Sequence, residues 1–182
     1  MAKHIIGIAG EIASGKDTVT KYLIDRYGAK QYRFSDPLRA ILKVMHLDIT
    51  RDNLTTISTH IREAFGQDIL AHIIEREAES TDAEIVVIDG VRRLSDIDLV
   101  KDKPNFTLWY TDADVKIRYE RLHKRRENQD DGSLTFEQFL EDHSNETERF
   151  ITELKSKAQV VIENNGSLDE LQAKVDDIMK NL

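Results

Sequence analysis

The sequence predicts an α/β fold: an open, mostly parallel sheet covered by helices on both faces. Two patterns carry this expectation. Short apolar runs of strand length alternate with longer stretches whose apolar residues recur at helical spacing. The first run, HIIGIA, passes directly into GEIASGKDT, a glycine loop that opens an amphipathic stretch. Ligands of such sheets sit beyond the carboxyl ends of the strands, and the distinctive polar motifs of this chain fall at those ends.

Residues 4–9 read as a buried parallel strand. Val19, Tyr22, Leu23 and Tyr27 then mark a helix that Gly28 stops. Residues 31–34 form a weaker second strand. Asp36–Pro37 opens the next helix, with Asp36 as N-cap and Pro37 at the first helical position. Residues from about 50 to 79 are helical, interrupted at Gly66–Gln67–Asp68. Residues 84–88 are the clearest buried strand, ending in Asp89–Gly90, and 106–110 are another. A helix from 114 to about 127 leads into a polar loop. Phe136, Phe139, Leu140, His143, Thr147, Phe150, Ile151 and Leu154 then share one helical face. Residues 159–162 make the last strand, and Leu168, Leu171, Val175 and Ile178 stripe the final helix. No repeat, low-complexity tract or Pro/Gly-rich linker divides the chain, so a single domain over residues 1–182 is expected.

A chain of 182 residues supports one domain with a sizeable core. Its formal net charge of −8 disfavours a protein whose main task is holding nucleic acid, because phosphate backbones select basic surfaces. With no cysteine, disulfides, thiolate metal sites and thiol nucleophiles are excluded. No two of the six histidines fall at i, i+4, so a zinc site is not expected. No run reaches the length of a membrane span, and the apolar start is too short for a signal peptide. These features predict a cytoplasmic protein without a nucleic-acid or membrane partner; they leave the oligomeric state open.

The chemistry-bearing motifs begin with the glycine loop. Gly10, four residues, then Gly15–Lys16 frame a phosphate-binding loop, in the strand–loop–helix context that gives the pattern a mechanism. The glycines let backbone N–H groups close around phosphate oxygens, and the helix N-terminus adds positive potential. Gly10, Ser14, Gly15, Lys16, Asp17 and Thr18 are the expected phosphate-binding residues. The usual frame has Ser or Thr after the lysine; here Asp17 stands there, and a carboxylate can serve Mg²⁺ directly or through water. VVIDGVRR places Asp89 at a strand end, either as a second Mg²⁺ partner or as a helix cap, followed by Arg92 and Arg93 for a phosphate or for solvent.

In FSDPLR, Asp36 caps a helix and can also orient an acceptor group, while Arg39 lies one turn on. RYERLHKRRENQDDG carries Arg118, Arg121, Arg125 and Arg126, the first three on one helical face. Such a run is either a solvated face or the base of a lid that brings arginines onto transferring phosphates while excluding water. Asn164–Asn165–Gly166, before Ser167, is a tight turn that can also present backbone groups to a nucleobase.

Together these residues resemble the nucleoside monophosphate kinase group of P-loop proteins. IDGVR resembles the adenylate kinase acceptor segment, and ERLHKRR resembles the start of that enzyme's lid. SGKD, DPLR, the D-x-x-R element at Asp89 and the late VI-x-N-x-G turn are similar to phage deoxynucleoside monophosphate kinase and animal-type phosphomevalonate kinase, RRLSDI most of all to the latter. FGQDIL and VIENNGSLDEL also resemble dephospho-CoA kinase. The resemblance covers most of the chain and is loose between motifs. It implies a three-layer P-loop kinase fold with five parallel strands and the phosphate-loop strand central. It also implies Mg-ATP as donor, a helical acceptor-binding insert (about 36–80) and a lid (about 118–135), with Lys16, Arg39, Asp89, Arg92 and the lid arginines as site residues.

The expected function is ATP-dependent phosphoryl transfer to a phosphate-bearing small molecule, foremost a (deoxy)nucleoside monophosphate. Lys16, Arg121 and Arg125 would act on the phosphates, and Asp36 or Asp89 on the acceptor. The 3′-hydroxyl of dephospho-CoA and phosphomevalonate are alternative acceptors, and a nucleotide-dependent regulatory ATPase is the alternative from another class.

Overall fold

Alternation along the first strand, β1 (His4–Gly10), sets the layers. Ile6 and Ile8 point to one face, Ile5 and Ala9 to the other, and all four are buried. A strand covered on both sides reads as a continuous apolar run, as this one does. The structure is a computed structural model that describes residues 4–125, 135–142 and 146–182. After β1 come α1 (Lys16–Tyr27), β2 (Lys30–Arg33), α2 (Ser35–Val44), α3 (Arg51–Phe65), α4 (Ile69–Ser80) and β3 (Ile85–Asp89). A short 3₁₀ turn (Leu94–Asp96) precedes β4 (Phe106–Asp112), α5 (Val115–Arg125), α6 (Phe136–Asp142), α7 (Glu146–Lys155), β5 (Val160–Glu163) and α8 (Leu168–Met179).

The five strands form one parallel sheet in the order β2-β3-β1-β4-β5, with β1 central. On one face, Ile6, Ile8, Val87 and Trp109 pack against Val19 and Leu23 of α1 and Leu171 and Val175 of α8. On the other, Ile5, Val86, Ile88, Leu108 and Tyr110 pack against α2, α4 and α7 through Leu38, Leu70, Ile74, Ile151 and Leu154. Full burial of each such aliphatic side chain contributes roughly 1.5–3 kcal/mol. The result is the three-layer P-loop kinase fold. Among the described residues no helix is long and apolar enough to cross a membrane.

Two local expectations need correction. Asp36 is not the N-cap: α2 starts one residue earlier at Ser35, and Phe34 in the cap position makes no side-chain cap. Asp36 Oδ2 instead accepts the Arg33 backbone N–H at 3.2 Å, tying the helix start back to β2. The apolar residues of 136–154 do not share one face. Phe139 is buried with Ala13 and Leu122, Ile151 and Leu154 belong to the sheet core, and Leu140 is 42% exposed. They serve two separate clusters from α6 and α7; residues 143–145 lie outside the described residues.

Candidate functional site

The glycine loop is shaped by two close approaches. Gly10 has φ +151° and faces Thr111 and Ser14 so closely that a Cβ would collide with both. Gly15, at φ +103°, lies against the Asn164 amide, and a Cβ there would strike it. Both positions therefore require glycine. Ser14 is fully buried: its hydroxyl meets Thr111 Oγ1 at 2.8 Å, and Thr111 Oγ1 donates to the Ala9 carbonyl. The Ser14 side chain is thus committed to the sheet, and its main-chain N–H donates to the Glu11 carbonyl at 3.1 Å, so Ser14 shapes the loop.

Helix α1 begins immediately at Lys16 with no side-chain cap from Gly15. Its first-turn N–H groups open onto a cleft of about 300 Å³ lined by Ala13, Gly15, Lys16, Asp17, Thr18 and Arg121. The amides of a helix N-terminus, its positive end and two cations make this an anion site.

At the next strand end, Asp89 is buried and stands in register between Ile8 of β1 and Arg33 of β2. Gln31 Nε2 donates to its Oδ2 at 2.8 Å, and Arg33 Nε lies 3.4 Å from the same oxygen. Burial pushes the Asp89 carboxyl above the usual range, the charge of Asp17 adds to that, and Lys16, Arg33 and Gln31 oppose it. The negative charge of Asp17 thus reaches the Asp89 carboxyl, and Lys16 acts on it in the opposite sense. Two carboxylates beside an anion-binding helix end fit a hard divalent cation bound by oxygen, directly or through water.

The arginines of α5 divide. Arg118, expected on the lid with its neighbours, is almost completely buried beneath the loop. It donates to the Ala113 carbonyl at 3.0 Å, pairs with Glu11 at 3.1 Å, reaches the Ile12 carbonyl and lies over the Phe139 ring. It braces the glycine loop and has no free donor face for a phosphate. Arg121 does face the cleft. Its Nη2 donates to Asn164 Oδ1 at 3.4 Å, while buried Nη1 has no partner among the described residues. Burial lowers the Arg121 pKa. Asn164 Nδ2 in turn donates to the Ser14 carbonyl at 2.8 Å. A second cleft of about 300 Å³, lined by Gly15, Thr18, Arg121, Asn164, Gly166, Leu168 and Leu171, continues from the first. Arg121 lines both, so a bound polyphosphate tail and a flat apolar-edged group can meet at it.

On the opposite side of Asp89, Asp96 Oδ2 accepts the backbone N–H groups of Arg92 (2.9 Å) and Arg93 (3.0 Å). The Arg93 guanidinium lies over the Phe150 ring, and the exposed Arg92 guanidinium has no partner among the described residues. Arg39 is exposed and reaches only Ser35 Oγ, at 3.5 Å.

Residues 9–137 match a protein-family model described as an AAA domain. A UPF0200 protein of Sulfurisphaera tokodaii is 31% identical over 179 residues, covering 98% of this chain and 97% of that one. The chain belongs to the UPF0200 family and carries an AAA domain. Among solved structures, TT1252 from Thermus thermophilus matches 100% of the UPF0200 chain and 99% of its own at TM-score 0.61 and 20% identity. Shikimate kinase from Acinetobacter baumannii matches 100% and 95% at TM-score 0.55 and 19% identity. Both likenesses are of fold, the second to a small-molecule P-loop kinase. The UPF0200 chain therefore has a P-loop kinase-like, nucleotide-binding fold.

The fold of this UPF0200 protein brings together Gly10, Ser14, Gly15, Lys16, Asp17, Thr18, Asp89 and Arg121, with Asn164 and Gly166 on the adjoining cleft. Asn165 turns away, its Oδ1 accepting the Asp114 N–H at 2.8 Å. Arg125 ends α5, its side chain outside the description, and Arg126 lies outside the described residues. Sequence reasoning missed Gln31 and Arg33, although their alternate placement on β2 puts both on the face of Asp89. It also missed Glu11, Arg62 and Asp96, for which no local signal exists. Arg62 Nη2 lies 3.3 Å from Asp96 Oδ1, 34 residues away in sequence.

Proposed function

We propose that this protein is an ATP-dependent phosphotransferase whose acceptor is a small molecule already carrying a phosphate, most specifically a (deoxy)nucleoside monophosphate. The observation that carries the reading is the division of charge about Asp89. On the α1 side, the positive helix N-terminus and Lys16 line a cleft that suits a polyphosphate donor. On the far side, Arg92 and Arg39 face solvent without a carboxylate among the described residues, in a chain of net charge −8. Unpaired guanidiniums in an acidic protein suit an anionic acceptor. Lys16 and the loop amides hold the donor; Arg121 stands between its phosphates and its base.

Asp17 and Asp89 are the residues that would hold Mg²⁺, and their mutual repulsion is relieved by a cation between them. When bound, Mg²⁺ supplies charge neutralisation on the outer phosphates. Because a phosphate oxygen is already a competent nucleophile, the protein's part is orientation and electrostatics. Asp36, with one oxygen on the Arg33 amide, is an orienting group rather than a required base. Dephospho-CoA and phosphomevalonate belong on the same acceptor panel.

The test is ATP consumption across all nucleoside monophosphates, dephospho-CoA and phosphomevalonate, with the Lys16→Ala variant alongside. One acceptor should turn over far faster than ATP hydrolysis, and Lys16→Ala should lower that rate by at least about a hundredfold, ~2.7 kcal/mol. Hydrolysis outrunning transfer to every acceptor would favour a regulatory ATPase. A Lys16→Ala loss within about tenfold would remove the mechanism.

A further inference from the structure

The acceptor side contains a buried ionic junction. Asp96 is 5% exposed and uses both carboxylate oxygens: Oδ2 takes the backbone N–H groups of Arg92 and Arg93, and Oδ1 takes Arg62 Nη2 at 3.3 Å. Arg62 belongs to α3, in the helical insert, and its other terminal nitrogen donates to the Gln67 carbonyl in the turn between α3 and α4. One side chain therefore joins three pieces of chain: the insert helix, the turn that ends it, and the loop after β3. The loop's apolar residues agree with this attachment, since Leu94 and Ile97 pack in the same cluster as Ile57 and Ile61 of α3.

An ion pair this enclosed is poor value as a source of stability, because desolvation offsets most of the Coulomb gain. Its distinctive consequence is geometric. Two consecutive amides held by one carboxylate oxygen fix the main chain of Arg92 and Arg93, and hence the direction in which each side chain leaves it. Arg93 turns onto Phe150, whereas Arg92 remains unpartnered among the described residues.

We propose that Arg62 and Asp96 are positioning residues that aim Arg92 at the acceptor's phosphate and make its placement depend on the position of the helical insert. The proposal rests on the acceptor reading above. An insert that shifts when an acceptor enters carries Arg62, Asp96 and the Arg92 main chain with it as one unit. Neither Arg62 nor Asp96 needs to touch substrate.

The experiment compares wild type with Arg62→Gln, Arg62→Lys and Asp96→Asn, each checked for folding by thermal melting. Two readouts are used: hydrogen exchange of the Arg92 and Arg93 amides, and the affinity of inorganic phosphate for protein already saturated with Mg²⁺ and a non-hydrolysable ATP analogue. In Arg62→Gln, exchange at the two amides should accelerate and phosphate affinity should fall about tenfold, the scale seen when an outer-shell partner of a ligand is removed. Affinity for the ATP analogue should stay within about twofold, and Arg62→Lys should recover part of the loss. Asp96→Asn keeps an oxygen for the amides but loses the ion pair, so it should resemble Arg62→Gln if it folds.

Unchanged exchange in a folded Arg62→Gln protein would overturn the proposal, as would faster exchange with unchanged phosphate affinity. Equal losses for phosphate and ATP analogue would reduce the pair to a general structural role and also overturn it. If phosphate binds and responds as expected but no acceptor is ever phosphorylated, the positioning role stands and the kinase reading falls.

Discussion

At the scale of single residues, Asp17 is the departure from the standard phosphate-loop frame, where a hydroxyl follows the lysine. It lies exposed in the first turn of α1, a position where a carboxylate is favoured by the helix end. That alone accounts for its presence without any metal. What argues for more is its neighbour: the charge of Asp17 contributes to raising the buried Asp89 carboxyl. Each charge is tolerable beside phosphates only with a cation between them. Asp17→Ala should therefore weaken Mg²⁺ binding to the ATP complex by about tenfold while leaving metal-free ATP binding unchanged or tighter, as read by isothermal titration with and without chelator. Equal losses in both titrations would leave Asp17 as a helix-end charge and nothing else. Because the side chain is exposed, this variant should fold normally, so the comparison is clean.

Elements were legible in the sequence to the extent that burial imposes a pattern. β1 and β3 are covered on both faces and read as unbroken apolar runs; α1 and α8 announce themselves by stripe and cap, with Ser167 capping α8 as its reciprocal pairing with Glu170 shows. Depth along an element was not legible. The spacing of Arg118, Arg121 and Arg125 gives their angle around α5, but only the fold reveals that Arg118 sits at the base against Glu11 while Arg121 overlooks the cleft. Pairs such as Arg62–Asp96 have no signal at all, because they exist only once α3 and the loop after β3 have been packed together. The contact between α1 and α8 has the same long-range character. Tyr22 and Tyr27 both donate to Asp176 Oδ1, at 2.8 and 2.7 Å, joining the phosphate-loop helix to the last helix. The bond to Asp176 and partial burial push the Tyr27 hydroxyl up to about 12, and the two phenols hold Asp176 below the usual carboxylate range. The signs give two windows. A raised tyrosine pKa contributes stability that is present below about 10 and lost as pH climbs toward 12. A lowered aspartate pKa contributes stability present above the ordinary value near 4 and lost as pH falls below it. Thermal melts of Tyr27→Phe should accordingly fall below wild type at neutral pH and converge with it above the Tyr27 titration. A constant offset through pH 12 would rule out this clamp.

For the whole molecule, the decisive fact is that the three central strands, β3, β1 and β4, supply both cores. Within β4, Leu108 and Tyr110 point into the α2–α4–α7 side while Trp109, fully buried between them, points into the α1–α8 side. Neither face can lose its strands without stripping the other, so the two layers should unfold together although they share no helix. Trp109 is the chain's single tryptophan, which makes its fluorescence a report on one face alone, whereas far-UV circular dichroism reports the helices of both. In urea the two signals should trace one transition with a common midpoint and slope. Cavity variants sharpen the test. Leu23→Ala opens the α1–α8 side and Leu154→Ala the opposite side, both at fully buried positions, and each should cost about 2–5 kcal/mol. If the sheet couples the faces, both variants move both signals by equal amounts and leave the slope unchanged. A Leu23→Ala protein that loses its tryptophan signal at lower urea than its helical signal would mean that the α1–α8 layer, which carries the phosphate loop, opens on its own.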